Sequence, residues 1–326
     1  MSWLLYVAVF FVSLISAVIG TKYVIRKVRQ FPYKDWDRGF LVPDFANPKK
    51  VLVPRIGGLG IVGGFTAGVL FAIKFIPEIH LKTLFASLLV VLMISIMAFF
   101  TDIFKIRKIT RVLLPGLASL PLVAISAGIS KVGVPLLGEV QFGIWYSLVL
   151  VPIGIMACSN LFNMLAGHNG LEAGTVIIAS TALLTATVIT SPNNLTPIIL
   201  LVSLIGAAIG FLYYNWYPAK VFPGDVGTYS MAAVYAAAAI TSSLEKVAVI
   251  AVMPQIIEFF LKARSKFKAQ NFGKPDKKGR LHYDGKVYSL THIVMKLFRP
   301  KEWQLSLILI AFQALFAVLA VISIGS

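Results

Sequence analysis

The sequence predicts an all-α, polytopic membrane protein with about ten transmembrane helices and with both termini outside the cytoplasm. Apolar stretches of about 18 or more residues recur along the chain, and each can cross a hydrocarbon core of about 30 Å. Hydrophobic residues make up 58% of the 326 positions and charged residues only 13%, which excludes a soluble domain of this length. Basic residues also collect in alternate loops. We therefore expect one integral membrane domain over residues 1–326.

The apolar stretches give ten candidate spans, which cover residues 3–21, 57–77, 83–101, 112–129, 142–160, 171–190, 196–214, 228–241, 244–262 and 303–324. The first is expected to be a retained helix and not a cleaved signal peptide, because its basic residues follow the apolar run. The eighth is short and rich in alanine. Residues 130–143 are long enough to form a hairpin at the membrane interface. Prolines within spans are tolerated where neighbours satisfy the freed carbonyls.

The distribution of positive charge gives the orientation. If all ten spans are real, five loops lie on one side and hold 26 of the 30 Lys and Arg residues; they are 22–56, 102–111, 160–170, 215–227 and 262–302. Cytoplasmic loops carry an excess of Lys and Arg. We therefore expect these five loops in the cytoplasm. The net charge of +17 also suits attraction to anionic substrates or lipid headgroups.

The stretch NLFNMLAGHNGLEAG, residues 160–174, separates two apolar runs and holds no Lys or Arg. Asn160 and Asn163 are spaced i, i+3 and share a helical face. Asparagine oxygens are suitable Mg²⁺ ligands, and Mg²⁺ usually takes one or two protein oxygens together with phosphates and water. This stretch is therefore a candidate metal site. The alternative is capping or interhelical hydrogen bonding by the asparagines, and His168 is more typical of a turn residue than of a ligand.

Three other polar segments lie at the same predicted face. In VFPGDVGTY, Asp225 precedes an apolar helix and either caps it or holds a divalent cation. In TDIFKIRKITR, Asp102 lies near four cations, which indicates either a phosphate-binding cluster or a topology signal with an ion pair. The basic stretch at 260–280 suits either a diphosphate clamp or contact with lipid headgroups. Each segment alone leaves both readings open.

Together, these segments resemble the polyprenyl-phosphate N-acetylhexosamine-1-phosphate transferase family. NLFNMLAGHNGLEAG is similar to the asparagine loop of the eukaryotic and archaeal branch, which makes GlcNAc-diphosphodolichol. NWYPAKVFPGDVGTYS (215–230) resembles that branch's aromatic-x-Gly-Asp loop. TDIFKIRKITRVLLPGLASLPLV (101–123) resembles its Asp-rich loop and the following proline-bearing helix. PDFANPKKVLVPRIGG (43–58) resembles the loop between the first two spans. The likeness covers nearly the whole chain.

The resemblance implies a reaction. A lipid phosphate attacks the β-phosphorus of a UDP-HexNAc, UMP leaves, and a sugar-diphospholipid remains. The branch likeness favours GlcNAc-1-phosphate as the transferred group and Mg²⁺ as the cofactor, with Mn²⁺ as an alternative ion. By motif position, Asp102, Asn163 and Asp225 are the catalytic residues, and Asn163 and Asp225 hold the metal. The substrate-binding residues implied are Lys105, Arg111, Asn169, Phe222, Gly224, Arg264 and Lys266.

Within that set, the resemblance implies a hydrogen bond from Asn169 to uracil and stacking of Phe222 on the base. Two positions depart from the family pattern. Thr101 replaces the first residue of an Asp-Asp pair, and Ser265 replaces the histidine of an Arg-His-Arg run. A phosphate monoester has its second pKa near 6 and is largely ionised at pH 7. The attacking phosphate therefore needs charge neutralisation and in-line placement more than it needs a base.

The expected partners are a UDP-N-acetylhexosamine, a polyprenyl or dolichyl phosphate and membrane lipids, with no nucleic acid; a homodimer is left open. The expected location is the cell membrane, or the endoplasmic reticulum membrane of a eukaryote, with the site facing the cytoplasm. The alternative is a transporter or flippase, which favours ionisable residues near the midplane and repeated halves. A membrane scaffold leaves the loop motifs unexplained. The bacterial cell-wall branch is disfavoured, because Ala166 and Asn169 stand where it has Asp.

Overall fold

The computed structural model describes residues 3–30, 40–45, 47, 51–104, 106–128, 131–134 and 138–325. These parts of the chain are predominantly helical, which confirms the predicted fold class. The helices are α1 (Trp3–Gln30), α2 (Gly58–Ile73), α3 (Glu78–Ile103), α4 (Lys108–Ala118), α5 (Leu120–Ala124), α6 (Val151–Met164), α7 (Leu171–Thr190), α8 (Leu195–Asn215), α9 (Gly224–Ser242), α10 (Glu245–Ala251), α11 (Met253–Ala263), α12 (Leu290–Phe298) and α13 (Glu302–Ile322).

Each predicted span coincides with one helix or with two consecutive elements. Among the described residues, six helical segments are both long and apolar enough to cross a membrane, namely α1, α3, α6 with its preceding π-helical turn Tyr146–Leu150, α7, α8 and α13. The fourth predicted span is divided into α4 and α5, and the ninth into α10 and α11. Pro254 lies in the first turn of α11, where the missing N–H of proline is tolerated. The total of ten spans and the position of the termini stay predictions.

Three short antiparallel hairpins connect the helices. They pair β1 (Leu41–Pro43) with β2 (Leu52–Pro54), β3 (Lys131–Val134) with β4 (Gly138–Gln141), and β5 (Lys274–Pro275) with β6 (Leu281–His282). The second of these hairpins was predicted from the length of the connection at 130–143. The other two lie in the long basic loops 22–56 and 262–302, where no strand was predicted. They give these loops defined shapes beside the helix ends.

The centre of the bundle is formed by α8 and α9, which are buried along most of their length. Helix α1 packs on α2 and α8, while α3 and α6 pack on α9. Small residues allow these close contacts. A Cβ at Gly206 would lie 2.5 Å from the carbonyl oxygen of Phe10, so α8 approaches the backbone of α1 at this point. Close approach at small residues is typical of helix packing in membranes.

Gly58 and Gly63 of α2 provide a matched pair of predictions. A Cβ at Gly58 would lie 2.2 Å from the backbone nitrogen of Gly227 in α9, whereas a Cβ at Gly63 meets nothing within 4 Å. We expect Gly58→Ala to lower the free energy of unfolding by about 1–3 kcal/mol through overpacking. Gly63→Ala is expected to leave it unchanged or raise it by up to about 1 kcal/mol. Denaturation of the two variants in detergent tests this, and equal effects would contradict the packing of α2 on α9.

Candidate functional site

A polar cavity of about 590 Å³ lies where the ends of α4, α6, α7 and α9 meet the first and last basic loops. Its polar and aromatic lining includes Arg55, Arg111, Asn163, Glu172, Phe222 and Asp225. These residues come from distant parts of the chain, but all belong to loops, or to helix ends beside loops, that were predicted on one side of the membrane. The cavity is therefore the place where the polar motifs converge.

Asp225 is the centre of the polar contacts in this cavity. Its Oδ1 accepts a hydrogen bond from Asn163 Nδ2 at 2.9 Å, and its Oδ2 accepts one from the Thr101 hydroxyl at 2.9 Å. Arg111 Nη2 lies 3.2 Å from Oδ2. Asn163 Nδ2 also lies 2.9 Å from Thr228 Oγ1, one turn along α9. The carboxylate is thus held between an amide, a hydroxyl and a guanidinium while its residue still lines the cavity.

Asp102 lies behind Asp225 and is 5% exposed. Its Oδ1 accepts from Arg55 Nη2 at 2.8 Å, from Arg55 Nε at 3.3 Å and from the backbone N–H of Asp225 at 3.0 Å. Its Oδ2 accepts from the backbone N–H of Val226 at 2.9 Å. Asp102 therefore satisfies the free N–H groups at the start of α9, where a negative charge is favourable, and holds Arg55 beside the cavity.

Backbone pairing fixes the two loops that carry Arg55 and Asp225. Phe222 N–H donates to the Pro54 carbonyl at 2.7 Å, and Gly57 N–H donates to the Phe222 carbonyl at 2.9 Å. Gly224, which directly precedes Asp225, has φ +66°. A Cβ there would lie 2.2 Å from the Arg55 carbonyl oxygen and 2.7 Å from Asp102 Oδ2. Only glycine fits this conformation and this space. The Gly-Asp pair is therefore required by geometry at this point.

A second polar cluster lies under the cavity around Asn169, which is fully buried. Asn169 Nδ2 donates to Glu302 Oε2 at 3.0 Å and to Asp44 Oδ2 at 3.3 Å, and its backbone N–H donates to Glu302 Oε1. His168 Nδ1 lies 3.5 Å from the same Oε1. Burial lowers the pKa of His168, but the hydrogen bond to Glu302 and its charge outweigh burial and leave this pKa raised. His168 therefore links the asparagine loop to the start of α13.

The basic loop is tied to the end of α6. Lys262 Nζ donates to the Met164 carbonyl at 2.5 Å, and Asn271 Nδ2 donates to the Met164 and Ala166 carbonyls at 2.9 and 2.6 Å. His168 Nε2 lies 3.1 Å from the Asn271 carbonyl oxygen. Helix ends leave carbonyls without intrahelical partners, and these two side chains satisfy them. Asn163 is thereby held at the last turn of a fixed helix.

An apolar groove of about 830 Å³ adjoins the cavity and is lined mainly by α4, α6 and α11, with Lys108 and Lys266 among its few cations. Lys108 lines the groove and Arg111, three residues later in α4, lines the cavity. In α6, Asn160 lines the groove and Asn163, three residues later, lines the cavity. Residues three apart are neighbours on a helix, so the cavity and the groove lie side by side along these helices.

Comparison with known proteins places the chain among membrane transferases. The glycosyl transferase family 4 model matches residues 84–243. A protein of Saccharolobus solfataricus named as a putative UDP-N-acetylglucosamine–dolichyl-phosphate N-acetylglucosaminephosphotransferase is 39% identical over 95% of this chain and 94% of its own length. The chain belongs to glycosyl transferase family 4. This confirms the resemblance drawn from the loop motifs.

Other relatives match over shorter lengths. A UDP-N-acetylglucosamine–dolichyl-phosphate N-acetylglucosaminephosphotransferase of Dictyostelium discoideum is 31% identical over 56% of this chain and 52% of its own. A probable undecaprenyl-phosphate N-acetylglucosaminyl 1-phosphate transferase of Bacillus subtilis is 27% identical over 68% and 59%. The segment matched to family 4 contains Thr101, Asp102, Asn163 and Asp225, the centre of the cavity.

The structure brings most of the predicted family 4 site residues together. Asn163, Asp225, Arg111, Phe222 and Gly224 line the cavity, and Asp102 contacts it through Arg55 and the start of α9. Two of the others lie elsewhere in the basic loop: Lys266 lines the groove, and Arg264 Cζ lies 6.0 Å from the centre of the Tyr288 ring. Asn169 is buried against Glu302, and Lys105 lies outside the described residues. Their assigned roles stay predictions.

The donor set fits a hard divalent cation of the kind that the resemblance implies. Asp225 and Asn163 are in direct contact, and a half-turn of the Asn163 amide brings its Oδ1 beside the carboxylate. No group of three or more His, Cys, Asp and Glu suited to a metal occurs among the described residues. Two protein oxygens in a roomy cavity suit Mg²⁺, which keeps waters and takes phosphate oxygens as further ligands. They do not suit a closed zinc site.

Several contributors to the site were missed from the sequence. Arg55 and Thr228 contact predicted residues 47 and 65 positions away in the chain. Asn271 contacts the carbonyl of Met164 in the asparagine stretch, 107 positions away. Glu302 was placed at the edge of a span and given no role. The one signal that could have drawn attention to Arg55 is its position in VPRIGG, a loop segment that was already matched to the family.

Proposed function

We propose that the protein transfers N-acetylhexosamine 1-phosphate, with GlcNAc-1-phosphate as the favoured group, from a UDP-sugar to a polyprenyl or dolichyl phosphate and releases UMP. This is the first step in assembling a lipid-linked glycan. The observation that carries the proposal is the contact between Asn163 and Asp225 in a cavity that lies beside an apolar groove. The names of the relatives from Saccharolobus solfataricus and Dictyostelium discoideum support the same substrates for this chain.

The chain's residues act mainly by placing two anions together. Phe222 lines the cavity and suits stacking on uracil, while Arg111 beside Asp225 suits a phosphate oxygen. When bound at Asn163 and Asp225, Mg²⁺ supplies neutralisation of the diphosphate charge. All described contacts of Asp102 use its carboxylate oxygens as acceptors. We therefore assign Asp102 to positioning and no proton transfer, since the acceptor phosphate is already largely ionised at pH 7.

The groove is proposed to hold the lipid chain, with its phosphate at the junction with the cavity. The junction is polar on both sides. Arg111 and Tyr229 line the same small space between α3 and α4, and the Tyr229 hydroxyl donates to Asn160 Oδ1 at 3.3 Å. Lys108 and Lys266 in the groove supply cations for the headgroup. This arrangement brings the attacking phosphate towards Asp225 while its tail stays among apolar side chains.

We propose an orientation of the protein in the membrane that places the cavity on the cytoplasmic side. The described part of the chain has six helices long and apolar enough to span a membrane, and shorter helices between them. We place ten spans with the five basic loops in the cytoplasm. The cavity is lined by residues of all five of those loops and by residues next to them, so it faces the cytoplasm, where a soluble nucleotide sugar has access. Mg²⁺ is the proposed cofactor, and Mn²⁺ is expected to replace it.

The decisive experiment measures UMP release and lipid-linked product from UDP-GlcNAc, a polyprenyl phosphate and Mg²⁺ with the purified full chain. We expect both products in equal amounts, no UMP without the lipid phosphate, and loss of activity with EDTA that Mg²⁺ restores. A transporter or flippase would release no UMP. A panel of UDP-sugars in the same assay identifies the sugar, and activity with UDP-GalNAc alone would change the assignment of GlcNAc.

The assignment of the groove gives a further prediction. Ala157 is exposed and lines the groove, whereas Ile153, one turn earlier on α6, is 47% exposed and does not line it. We expect Ala157→Phe to raise the KM for a long polyprenyl phosphate by about tenfold and to leave the KM for UDP-GlcNAc within about twofold, because the new ring fills the groove. Ile153→Phe is the matched control. Equal effects of the two changes on the lipid KM would reject the groove as the lipid site.

A further inference from the structure

Arg55 lines the cavity and is held rigidly at both its main chain and its side chain. It follows β2, and its main chain is fixed because its N–H donates to the Phe40 carbonyl at 2.9 Å. Its side chain is fixed by Asp102, since Nε and Nη2 both reach Oδ1 of that carboxylate. An arginine held at both ends loses little further conformational freedom when it binds a ligand.

One edge of the same guanidinium remains available to the cavity. Arg55 lines the cavity and its side chain is 25% exposed, whereas the Asp102 side chain is 1% exposed. Within the described part of the chain, Nη1 of Arg55 has no hydrogen-bond partner. The contacts with Asp102 therefore occupy Nε and Nη2 and leave Nη1 as a donor on the cavity side.

The charges around the cavity indicate which ligand this donor suits. Among the described lining residues, Arg55 and Arg111 are the cations and Glu172 and Asp225 are the acids. The proposed donor brings two negative charges on its diphosphate, and Arg111 is already 3.2 Å from Asp225. Arg55 is paired with an acid that lies behind the cavity wall, so the unpaired edge of its guanidinium can bind a ligand anion together with Arg111.

The position of Arg55 favours the nucleotide donor over the lipid acceptor. The loop of Arg55 pairs directly with the loop of Phe222, the residue assigned to the uracil base. Arg55 does not line the apolar groove, where Lys108 and Lys266 lie. A guanidinium is a strong and geometrically specific partner of phosphate oxygens.

We propose that Arg55 binds the diphosphate of the UDP-sugar donor and that Asp102 is the positioning residue that presents it. The inference rests on the proposed transferase function and adds a substrate contact to it. The β-phosphate oxygens are negative in the bound donor. They stay negative while an oxygen of the lipid phosphate forms its bond to the β-phosphorus and the bond between the β-phosphorus and UMP breaks. Arg55 therefore contributes to donor affinity and to the alignment of the leaving UMP.

Titration calorimetry of the purified full chain with UDP, UMP and uridine in Mg²⁺ tests this contact. For Arg55→Gln we expect the Kd of UDP to rise about 10- to 100-fold, the Kd of UMP to rise less, and the Kd of uridine to stay within about twofold. Arg55→Lys keeps the charge but loses the planar set of guanidinium N–H donors. We expect the Kd of UDP to rise about 3- to 10-fold in this variant. If Arg55→Gln fails to fold, Arg55→Lys with the same three ligands decides the question.

Steady-state kinetics separate the two substrates. We expect the KM for UDP-GlcNAc to rise in Arg55→Gln while the KM for the polyprenyl phosphate stays within about twofold. Three results would overturn the inference: an unchanged Kd for UDP, equal weakening of UDP and uridine, or a rise confined to the lipid KM. If the unaltered protein binds neither UDP nor uridine, the transferase function itself fails, and this outcome is distinct from the other three.

Discussion

Asp225→Asn is expected to lower kcat for UMP release by about 10²- to 10³-fold while leaving the fold intact. The change removes the only carboxylate that directly contacts Asn163 among the described residues, and with it the negative ligand of the proposed metal site. Loss of one preorganised electrostatic contact at a reacting centre costs about this much. The asparagine can still accept from Thr101, so the surroundings keep their packing. Initial rates at saturating substrates, with thermal unfolding as a check on folding, provide the measurement.

Asp284→Asn is the matched control for Asp225→Asn, because Asp284 is an exposed acid in the last basic loop, away from the cavity lining. It makes the same change of charge and is expected to keep kcat within about twofold. If Asp225→Asn retained more than about a tenth of the activity, the carboxylate could not be a required ligand. If both variants lost activity equally, the effect would be one of net charge.

Asp102→Asn is expected to lower both stability and activity, and stability most clearly. The carboxylate accepts from Arg55 and from two backbone N–H groups at the start of α9, and an amide cannot accept with both of its terminal atoms. Removing one partner of a buried ion pair costs about 3–5 kcal/mol. Because Arg55 is partly exposed, we expect a loss near the lower end, about 3 kcal/mol, in the free energy of unfolding in detergent.

The Kd of UDP distinguishes positioning from base catalysis at Asp102. If Asp102 positions Arg55 and α9, Asp102→Asn raises the Kd of UDP as well as lowering activity. If the variant were stable, bound UDP with an unchanged Kd and lost only kcat, Asp102 would be a proton acceptor and our assignment would be wrong. Glu78→Gln is the matched control, since Glu78 lies exposed at the other end of α3.

Much of the fold could be predicted from hydropathy, because each apolar stretch must form a helix in lipid to satisfy its own backbone. Kinks were expected at prolines within spans, and Pro121 and Pro254 lie in the first turn after the two breaks, but the exact positions of the breaks were not predicted. Helix α4 ends at Ala118 with Ser119 between it and α5, and Val252 separates α10 from α11. Hydropathy averages over these positions, so it gives no signal where a helix bends. The hairpins in the basic loops depend on tertiary pairing, such as that of residues 54–58 with 222–223.

The centre of the site could be predicted, whereas its support could not. Asn163 and Asp225 lie in recognisable motifs, and in the structure Asn163 Nδ2 is 2.9 Å from Asp225 Oδ1. Arg55 and Asn271 act through partners far along the chain, and a single sequence carries no information on such pairs. Asn169 was assigned to uracil by its motif, yet its amide is bonded to Glu302 beneath the cavity. Which groups a side chain touches depends on packing that the motif does not encode.

The central claim is that Asn163 and Asp225 hold one divalent ion where two phosphates meet. Its most direct test is a titration of the purified protein with Mn²⁺ in the presence of UDP, followed by electron paramagnetic resonance. We predict one tightly bound Mn²⁺ per chain, phosphorus coupling from the nucleotide, and loss of both signals in Asp225→Asn and Asn163→Ala. Binding of the same stoichiometry and affinity in Asp225→Asn, or bound Mn²⁺ without phosphorus coupling, would contradict the account.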